Sequence, residues 1–522
     1  MTENYDYVII GSGFGGSVSA LRLCEKGYKV LLIEKGKWYQ QDDFPKSNWN
    51  LKRWLWLPSF RFFGIMKMTF FKHVGIISGV GVGGGSLVYA NTLPNPKPAF
   101  YNTGSWNGLE NWETTLKPHY KTALHMLGAA NNPYLELGDN LLKELANQEG
   151  RGEHFEAARV SVFFGEADKT VPDPYFNGEG PERAGCNSCG ACMTGCRYNA
   201  KNSLDKNYLH LALNKGLKII AEREVTGVKT IGKADGSEGY SITYEDSTSL
   251  FTKRKTTVQS KAVIFSGGVL GTVPLLLKLK ETTLPLLSNR VGDDVRTNNE
   301  SLIFNVNPGK EDLTKGIAIG SVYHADENSH LEPVRYGRGS GFWRTLLVPV
   351  VTEGNFFSRI FQMIGKILRH PITYLRLMTV KDFSKQSIIL LFMQHLDSTL
   401  SLRKGLFGMK SSITKGSQPK AQIPFAARLA EQYGKLIGGG KSFVVLTESM
   451  LNMPSTAHIL GGAVMGASAN EGVIDKNNFV FGYKNMLVCD GSTVSANPGV
   501  NPSLTITALA ERAMSKIPIK TT

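Results

Sequence analysis

The chain has 522 residues, too many for one ordinary hydrophobic core, so we expect two or more domains. A hydrophobic content of 42% and a charged content of 20% are typical of a folded globular protein. The 59 Lys and Arg residues outnumber the 44 Asp and Glu residues, and the formal charge of +15 favours an anionic partner. Since no nucleic-acid motif or dense basic run is present, we exclude nucleic acid, which leaves a phospholipid membrane or a solvated basic surface.

Residues 1–13 contain no positively charged leader and no long apolar stretch, so the sequence predicts no secretory signal peptide. The apolar run at residues 387–393 is too short to span a bilayer and predicts a buried strand. Four of the six cysteines are clustered, which fits a reducing compartment better than a disulfide framework. We therefore expect a cytoplasmic protein, with peripheral membrane contact left open.

The N-terminal segment, residues 5–36, predicts a strand, a glycine turn, a helix and a second strand. Its G-x-G-x-x-G motif allows a sharp turn, a close backbone approach to a pyrophosphate and tight packing of the helix on the strand. An acidic residue at the end of the second strand can bond both ribose hydroxyls, which favours FAD or NAD over NADP. The cofactor-binding candidates here are Gly11, Gly13, Phe14, Gly16 and Glu34.

An aromatic and basic stretch follows, residues 46–72, which we define as the lid segment. It contains three tryptophans and five phenylalanines among several lysines and arginines. Such a mixture is typical of an element that enters a lipid interface. A segment that is buried as a packing element explains the composition equally well.

A second glycine-dense loop, "GVGVGGGSLVYANT", covers residues 79–92. Four glycines within five residues suit a backbone that must lie flat against a large planar cofactor, and this favours FAD over NAD. A flexible hinge is the alternative explanation. The cofactor-binding candidates in this loop are Gly83, Gly84, Gly85, Ser86 and Asn91.

The cysteine loop, residues 183–199, contains four cysteines in the C-x2-C-x2-C-x3-C spacing of bacterial ferredoxins. However, Arg197 rather than proline follows the last cysteine, and the chain has no second cysteine set. The sequence leaves three alternatives open: an iron–sulfur cluster, a zinc site and a loop without metal. The candidate ligands are Cys186, Cys189, Cys192 and Cys196.

The chain after the cysteine loop predicts a strand meander around a turn at Asp235 and Gly236. The meander ends at a second glycine turn, where Gly268 returns to the nucleotide. Residues 310–450 are then expected to form a substrate domain. Within it, residues 356–371 predict an amphipathic helix with basic residues on one side, which suits either a lipid interface or a buried packing surface.

The C-terminal region repeats the pattern of a strand followed by a helix. "KNMLVCDG" predicts a strand that ends at Asp490 and Gly491, with backbone donors beside a cofactor. "NPSLTITALAER" predicts a helix that starts at Pro502, and its positive end can stabilise negative charge on a reduced flavin. His458 lies in a glycine-rich loop, and Asn501 immediately precedes the helix.

The N-terminal fingerprint, "GVGGGSLV", "HILGG", "NMLVCDGS" and "GVNPSLTITALAER" together resemble the glucose–methanol–choline (GMC) oxidoreductases, and within them the cholesterol oxidase branch. The resemblance covers both ends of the chain and is weaker in the middle. It implies an α/β fold that combines a Rossmann-like FAD-binding domain with a discontinuous α+β substrate domain. The implied FAD-binding ranges are 1–45, 73–130, 200–309 and 451–522, and the substrate range is 310–450.

The resemblance also implies catalytic roles. His458 and Asn501 would face the flavin and bind the substrate hydroxyl, with His458 assisting the removal of its proton while hydride leaves for the flavin. Glu332 is the candidate for the carboxylate that moves a proton during double-bond isomerisation, and a surface ion pair with Arg335 is the alternative. Tyr89 and Asn91 replace smaller cavity-lining residues of the secreted enzymes, which leaves the exact substrate open.

The sequence thus predicts an FAD-dependent oxidoreductase that converts the 3β-hydroxyl of a sterol to a ketone, with isomerisation left open. Oxygen or an electron-acceptor protein would receive the electrons. One alternative is a GMC-type dehydrogenase of another lipid alcohol that passes electrons through a cluster on the cysteine loop. Another is a flavin-containing protein that binds membranes without turnover.

Overall fold

The computed structural model of the chain describes residues 3–249, 253–307, 309–351, 354–396, 398–406, 408–415 and 419–521. The helices are α1 (Phe14–Glu25), α2 (Leu51–Trp54), α3 (Trp112–Met126), α4 (Leu137–Gln148), α5 (Tyr208–Asn214), α6 (Val269–Lys280), α7 (Phe356–Arg369), α8 (Pro371–Met378), α9 (Pro424–Leu436), α10 (Leu446–Leu451) and α11 (Ser503–Ser515). The strands are β1 (Asn4–Ile10), β2 (Val30–Ile33), β3 (Trp56–Leu57), β4 (Phe62–Phe63), β5 (Met66–Phe71), β6 (Val74–Gly79), β7 (Ala130–Asn131), β8 (Phe155–Ala157), β9 (Arg159–Val160), β10 (Thr170–Val171), β11 (Arg183–Ala184), β12 (Lys218–Ile220), β13 (Arg223–Thr230), β14 (Tyr240–Asp246), β15 (Lys255–Phe265), β16 (Val295–Arg296), β17 (Ser301–Val306), β18 (Ser321–Tyr323), β19 (Ser329–Val334), β20 (Leu347–Pro349), β21 (Ser387–Gln394), β22 (Thr399–Gly405), β23 (Gly408–Lys415), β24 (Lys441–Val445), β25 (Ser455–Thr456) and β26 (Met486–Val488).

The nucleotide sheet is the first of two seven-stranded sheets and has the strand order β12-β2-β1-β15-β14-β13, with β26 paired to β15. β1 runs parallel to both β2 and β15, as a strand–helix–strand crossover requires. Val8 and Ile9 of β1 are fully buried, as expected for a central parallel strand. β13, β14 and β15 form the antiparallel meander that the sequence predicts. The Rossmann-like unit is therefore confirmed.

The substrate sheet is antiparallel and has the strand order β20-β24-β17-β21-β19-β18-β8. Its central strand β21 confirms the predicted buried strand and explains why nearly every residue in it is apolar. Ile388 and Leu390 pack in the core that includes side chains of α4 and α9, and Ile389 and Leu391 lie on the opposite face. Because both faces are covered, the strand shows no alternation of apolar and polar residues.

Two strands of the substrate sheet, β8 and β17, lie outside the predicted substrate range of 310–450. β17 falls within residues 200–309, which we assigned to the FAD-binding domain, and the structure differs here. It pairs antiparallel with β21 and β24, both more than 80 residues later in the chain. Such long-range pairing leaves no local signature, so an apolar strand cannot be assigned to one sheet or the other from its own sequence.

The lid segment contains α2, β3, β4 and β5, and β5 pairs with β6. Trp54 and Trp56 are buried, and Trp54 packs against Phe342. By contrast, Phe60 and Phe70 are 67% and 60% exposed. Part of the segment is therefore a packing element and part is open surface, so the packing explanation holds for the buried portion, and the lipid-interface explanation stays a prediction for the exposed portion.

The predicted amphipathic helix at residues 356–371 is confirmed as α7, which ends at Arg369. Pro371 then occupies the first turn of α8, so the proline that ends one helix also starts the next. In the described ranges, every helix is too short or too polar to cross a lipid bilayer.

Candidate active site

A central cavity of about 620 Å³ is lined by residues of both large sheets. The predicted site residues on its wall are Gly11, Gly13, Phe14, Glu34, Gly84, Gly85, Gly268, Asp490, Gly491, Pro502, His458 and Asn501. The predicted site residues that lie outside this wall are Gly16, Gly83, Ser86, Asn91 and Glu332. The structure thus brings together segments from the two ends of the chain around one space.

The first glycine turn has the geometry that a dinucleotide requires. Gly11 has a φ of 102°, a conformation that favours glycine. Gly16 lies against the Gly11 carbonyl, so any side chain at Gly16 would force α1 away from β1. An added Cβ at Gly13 would meet no atom within 4 Å, so the backbone there faces open space. This space at the start of a helix suits a pyrophosphate.

Glu34 follows β2 and is buried at the edge of the cavity. Its carboxylate accepts hydrogen bonds from the Ser12 backbone N–H at 3.0 Å and the Gly36 backbone N–H at 2.8 Å. These bonds fix its orientation, and a carboxylate retains further lone pairs for ribose hydroxyls.

The glycine loop folds directly over the first turn. Gly84 has a φ of 53°, and a Cβ on it would lie 2.7 Å from the Cα of Gly13. Ser86 supports the loop, since its Oγ donates to the Gly83 carbonyl at 2.7 Å. Asn91 is buried at a φ of 74°, and its side chain faces the Cys192 thiol rather than the cavity. The close contact between the two glycine loops excludes any larger residue.

The C-terminal strand meets the second glycine turn through a buried carboxylate. Asp490 accepts hydrogen bonds from the Gly268 backbone N–H at 2.8 Å and from the Thr272 hydroxyl at 2.5 Å. Gly268 has a φ of 68°, and a Cβ there would meet no atom within 4 Å. α11 starts at Ser503, one residue later than predicted, because Pro502 takes the capping position before the helix. The open backbone at both turns fits FAD.

His458 is oriented by a carboxylate that the sequence interpretation missed. Oε1 of Glu300 lies 2.8 Å from Nδ1 of His458, and it also accepts from the Thr456 hydroxyl at 2.6 Å. Because a carboxylate only accepts, Nδ1 carries the hydrogen, and Nε2 is left as the acceptor nitrogen for a ligand. Glu300 lies just before the apolar strand β17, and its sequence neighbourhood contains no motif that marks it.

Glu332 lies behind Asn501 and is fully buried. Nδ2 of Asn501 donates to Oε2 of Glu332 at 3.2 Å, and Oε1 of Glu332 is 3.7 Å from Nε2 of His330. The alternative of a surface ion pair with Arg335 is wrong, because Arg335 is itself buried and bonds Asp139 at 3.0 Å. Glu332 is therefore connected to the cavity through Asn501.

Burial and charge set the protonation of these groups. Burial acts to lower the pKa of His458, but the charge and hydrogen bond of Glu300 and the charge of Glu332 outweigh it and raise the pKa above its ordinary value. Burial raises the pKa of Glu332 to about 7, although the hydrogen bond from Asn501 and the charge of His458 oppose the rise. Glu332 can therefore exchange a proton near neutral pH, and His458 is a stronger base than an ordinary histidine.

The substrate-sheet side of the cavity is apolar. It is formed by side chains of the lid segment, of the substrate sheet and of the turn before β20, which include Met66, Phe304, Trp343, Ile389, Leu391 and Val445. The polar groups of His458 and Asn501 thus face a largely apolar space. A ligand that suits it is apolar over most of its length and has a polar group at one end.

The cysteine loop closes part of the cavity wall from outside. Met193 lines the central cavity, and the four cysteines line a smaller cavity with Lys201. Burial raises the pKa of Cys186 and of Cys189 to about 12. In the part of the chain that the structure describes, no three His, Cys, Asp or Glu side chains form a group that could hold a metal ion. The cluster and zinc alternatives therefore find no support in this geometry.

Lys201 anchors the cysteine loop and was also missed by the sequence interpretation. Its Nζ donates to the carbonyl oxygens of Leu87 at 3.0 Å, Tyr89 at 2.9 Å and Cys192 at 2.9 Å. All three ammonium hydrogens thus have acceptors, although burial lowers the pKa of Lys201 to about 8. This buried lysine joins the cysteine loop to the glycine loop, which gives the cysteine loop a structural role.

Comparisons with known proteins agree with this geometry. Residues 5–279 and 430–510 match two family models that are both described as GMC oxidoreductase. A cholesterol oxidase of Acinetobacter baumannii is 44% identical and covers 99% of this chain and 95% of its own length. A cholesterol oxidase of Mycobacterium tuberculosis is 40% identical, and the similarity covers 100% of this chain and 92% of that protein's length.

More distant proteins are also similar to nearly the whole chain. A long-chain-alcohol oxidase of Arabidopsis thaliana is 24% identical, covering 98% of this chain and 67% of its own length. The crystal structure of a pyridoxine 4-oxidase from Mesorbium loti superposes with a TM-score of 0.62 at 14% identity, covering 98% of both chains. The chain belongs to the GMC oxidoreductase family and is an FAD-dependent alcohol oxidoreductase.

Proposed function

We propose that the protein oxidises the 3β-hydroxyl group of a sterol to a ketone. The observation that carries the proposal is the placement of His458 and Asn501 on the wall of a cavity whose substrate-sheet side is apolar. A sterol has the matching shape, with one hydroxyl at the end of a long apolar body. The similarity to two cholesterol oxidases over nearly the whole chain supports the same substrate class.

His458 and Asn501 have different roles at the substrate hydroxyl. Nε2 of His458 is the acceptor for the hydroxyl proton, since Nδ1 is bonded to Glu300. Nδ2 of Asn501 has one hydrogen on Glu332 and a second hydrogen that can bond the hydroxyl oxygen. FAD, which the glycine turns and Glu34 would hold, would supply the acceptor for the hydride that leaves the carbon. Glu300 positions His458 and raises its basicity.

Isomerisation of the sterol double bond forms a further part of the proposal and rests on Glu332. Its pKa of about 7 suits a carboxyl group that both takes up and returns a proton. The Glu332→Gln variant keeps the shape of the side chain and removes the titration. We expect it to release the unconjugated ketone from a Δ5 sterol, whereas the unmodified enzyme releases the conjugated ketone. Product analysis by mass spectrometry and ultraviolet absorbance separates the two.

We further propose oxygen as the electron acceptor and a cytoplasmic location with peripheral membrane contact. The free thiols of all six cysteines are consistent with a reducing compartment. The rival is a dehydrogenase that passes electrons through a cluster on the cysteine loop. Iron content, measured on anaerobically purified protein, together with oxygen consumption during turnover, separates these alternatives. Stoichiometric iron without oxygen consumption would favour the dehydrogenase.

The substrate class is tested with a panel of alcohols presented in detergent. We expect 3β-hydroxysterols to be oxidised in preference to long-chain primary alcohols, glucose and choline. The 3α-epimer of the best sterol is the matched control, since it has the same apolar body and a displaced hydroxyl. Preference for a primary alcohol, or equal rates for both epimers, would contradict the sterol assignment.

A further inference from the structure

The helices α7 and α8 each expose an apolar row, and together we call these rows the stripe. Within each helix the residues follow each other at three- and four-residue spacing, so they share one face of that helix, with a break at His370 between the two. They are 69%, 73%, 42%, 70%, 73% and 64% exposed in the order Phe357, Phe361, Ile364, Leu368, Ile372 and Leu375. Large apolar side chains rarely form such a row on a surface in contact with water only.

The same segment is strongly basic. Between Gly354 and Lys381 the sequence contains five Lys or Arg residues and no Asp or Glu, which amounts to a third of the net charge of the chain. None of these five forms an ion pair with a carboxylate of the described residues. Exposed aromatic and aliphatic groups beside unneutralised cations are the pattern of a helix that lies in an anionic lipid interface.

The stripe also lies next to the substrate cavity. α7 packs against β20 and α10, and the Arg359 guanidinium donates to the Ser449 carbonyl of α10 at 3.4 Å. Leu346, immediately before β20, and Thr447 of α10 line the central cavity. A membrane on the exposed face of α7 would therefore be separated from the cavity by one layer of secondary structure.

We propose that α7 and α8 dock the protein on an anionic phospholipid bilayer, from which the substrate passes into the cavity. This inference rests on the proposed function for its substrate, but the docking itself does not depend on catalysis. A second copy of the chain is a poorer occupant, because a two-fold contact would bring two faces of the same positive charge together.

The test is flotation of the FAD-loaded enzyme with vesicles of phosphatidylcholine containing phosphatidylserine. The double variant Phe361→Ser, Leu368→Ser should bind on the order of tenfold less tightly. The matched control is Ile519→Ser, because Ile519 is 74% exposed near the C-terminus. A second variant, Arg369→Glu with Arg376→Glu, should lose binding to anionic vesicles and reproduce the weakening caused by high salt.

Activity measurements separate this inference from the proposed function. Both variants should retain oxidation of a sterol in detergent and lose most oxidation of the same sterol in anionic vesicles. Unchanged vesicle binding by both variants would overturn the docking proposal, as would a concentration-dependent dimer in light scattering that the serine variant abolishes. Absence of sterol oxidation in detergent by the unmodified enzyme would overturn the proposed function alone.

Discussion

The nucleotide sheet and the substrate sheet build their parts of the site in different ways. In the nucleotide sheet, backbone groups at the ends of strands and the starts of helices surround the cofactor space, so glycine turns and caps determine the geometry. In the substrate sheet and its neighbours, side chains from distant segments meet, as Glu300 does with His458 and Glu332 with Asn501. The first region therefore tolerates few changes in backbone shape, and the second responds to changes of single side-chain atoms.

The largest effect is expected at the point where the two regions meet. The His458→Gln variant removes the acceptor for the hydroxyl proton and should lower kcat on the order of 1,000-fold, with the bound flavin retained. Stopped-flow reduction of the flavin by substrate measures the step directly. His125→Gln is the control, because His125 is exposed on α3. Normal reduction by the His458 variant would contradict its assignment.

A substitution at Gly84 tests whether the nucleotide sheet depends on its backbone shape. The Gly84→Ala variant should weaken FAD retention on the order of tenfold or more, because the new Cβ would press on Gly13. The absorbance ratio of flavin to protein after dialysis checks this. Gly150→Ala is a matched control, since Gly150 has a similar φ of 68° but open space around it. Equal flavin loss in both variants would attribute the effect to backbone strain alone.

The Glu300→Gln variant tests whether the substrate region responds to a change of a single side-chain atom. The amide keeps a hydrogen bond but removes the charge that raises the pKa of His458. A base is active only when neutral, so the acidic limb of kcat/KM should move to lower pH in the variant, and the plateau should fall about tenfold. Glu113→Gln on the exposed face of α3 is the control. A lower rate with an unmoved pH profile would show that Glu300 only fills space.

The smallest expected effect concerns stability rather than turnover. Burial raises the pKa of Glu448 to about 8, against an ordinary value of 4.5 and despite the opposing influence of the neighbouring Ser455. The folded state therefore keeps a proton that the unfolded chain loses above pH 4.5, so stability falls as pH rises from about 5 to 8. Glu448→Gln should remove this slope and raise the free energy of unfolding at pH 8 relative to the unmodified protein. Denaturant unfolding at pH 5 and pH 8 measures the difference, and parallel pH dependence in both proteins would contradict it.

The same contrast explains what could be predicted from the sequence. The N-terminal strand, helix and strand, the meander and the roles of Gly11 and Gly16 are local, so their spacing predicts them. The membership of β17 in the substrate sheet depends on pairing with strands far along the chain. Glu300 and Lys201 act through contacts with segments remote in sequence, and no local pattern marks either. The ferredoxin-like cysteine spacing shows the converse, since the spacing matches a motif although the described side chains form no group that could hold a metal ion.

The central claim is that a sterol hydroxyl reaches His458 and is oxidised there. Its most direct test is anaerobic titration of the FAD-loaded enzyme with cholesterol in detergent, followed by visible absorbance. We expect the flavin bands to bleach with one equivalent of sterol per flavin, and we expect the His458→Gln variant to block the bleaching. A flavin that stays oxidised with cholesterol but bleaches with another lipid alcohol would contradict the sterol assignment. A flavin that no alcohol reduces would contradict catalysis at this site.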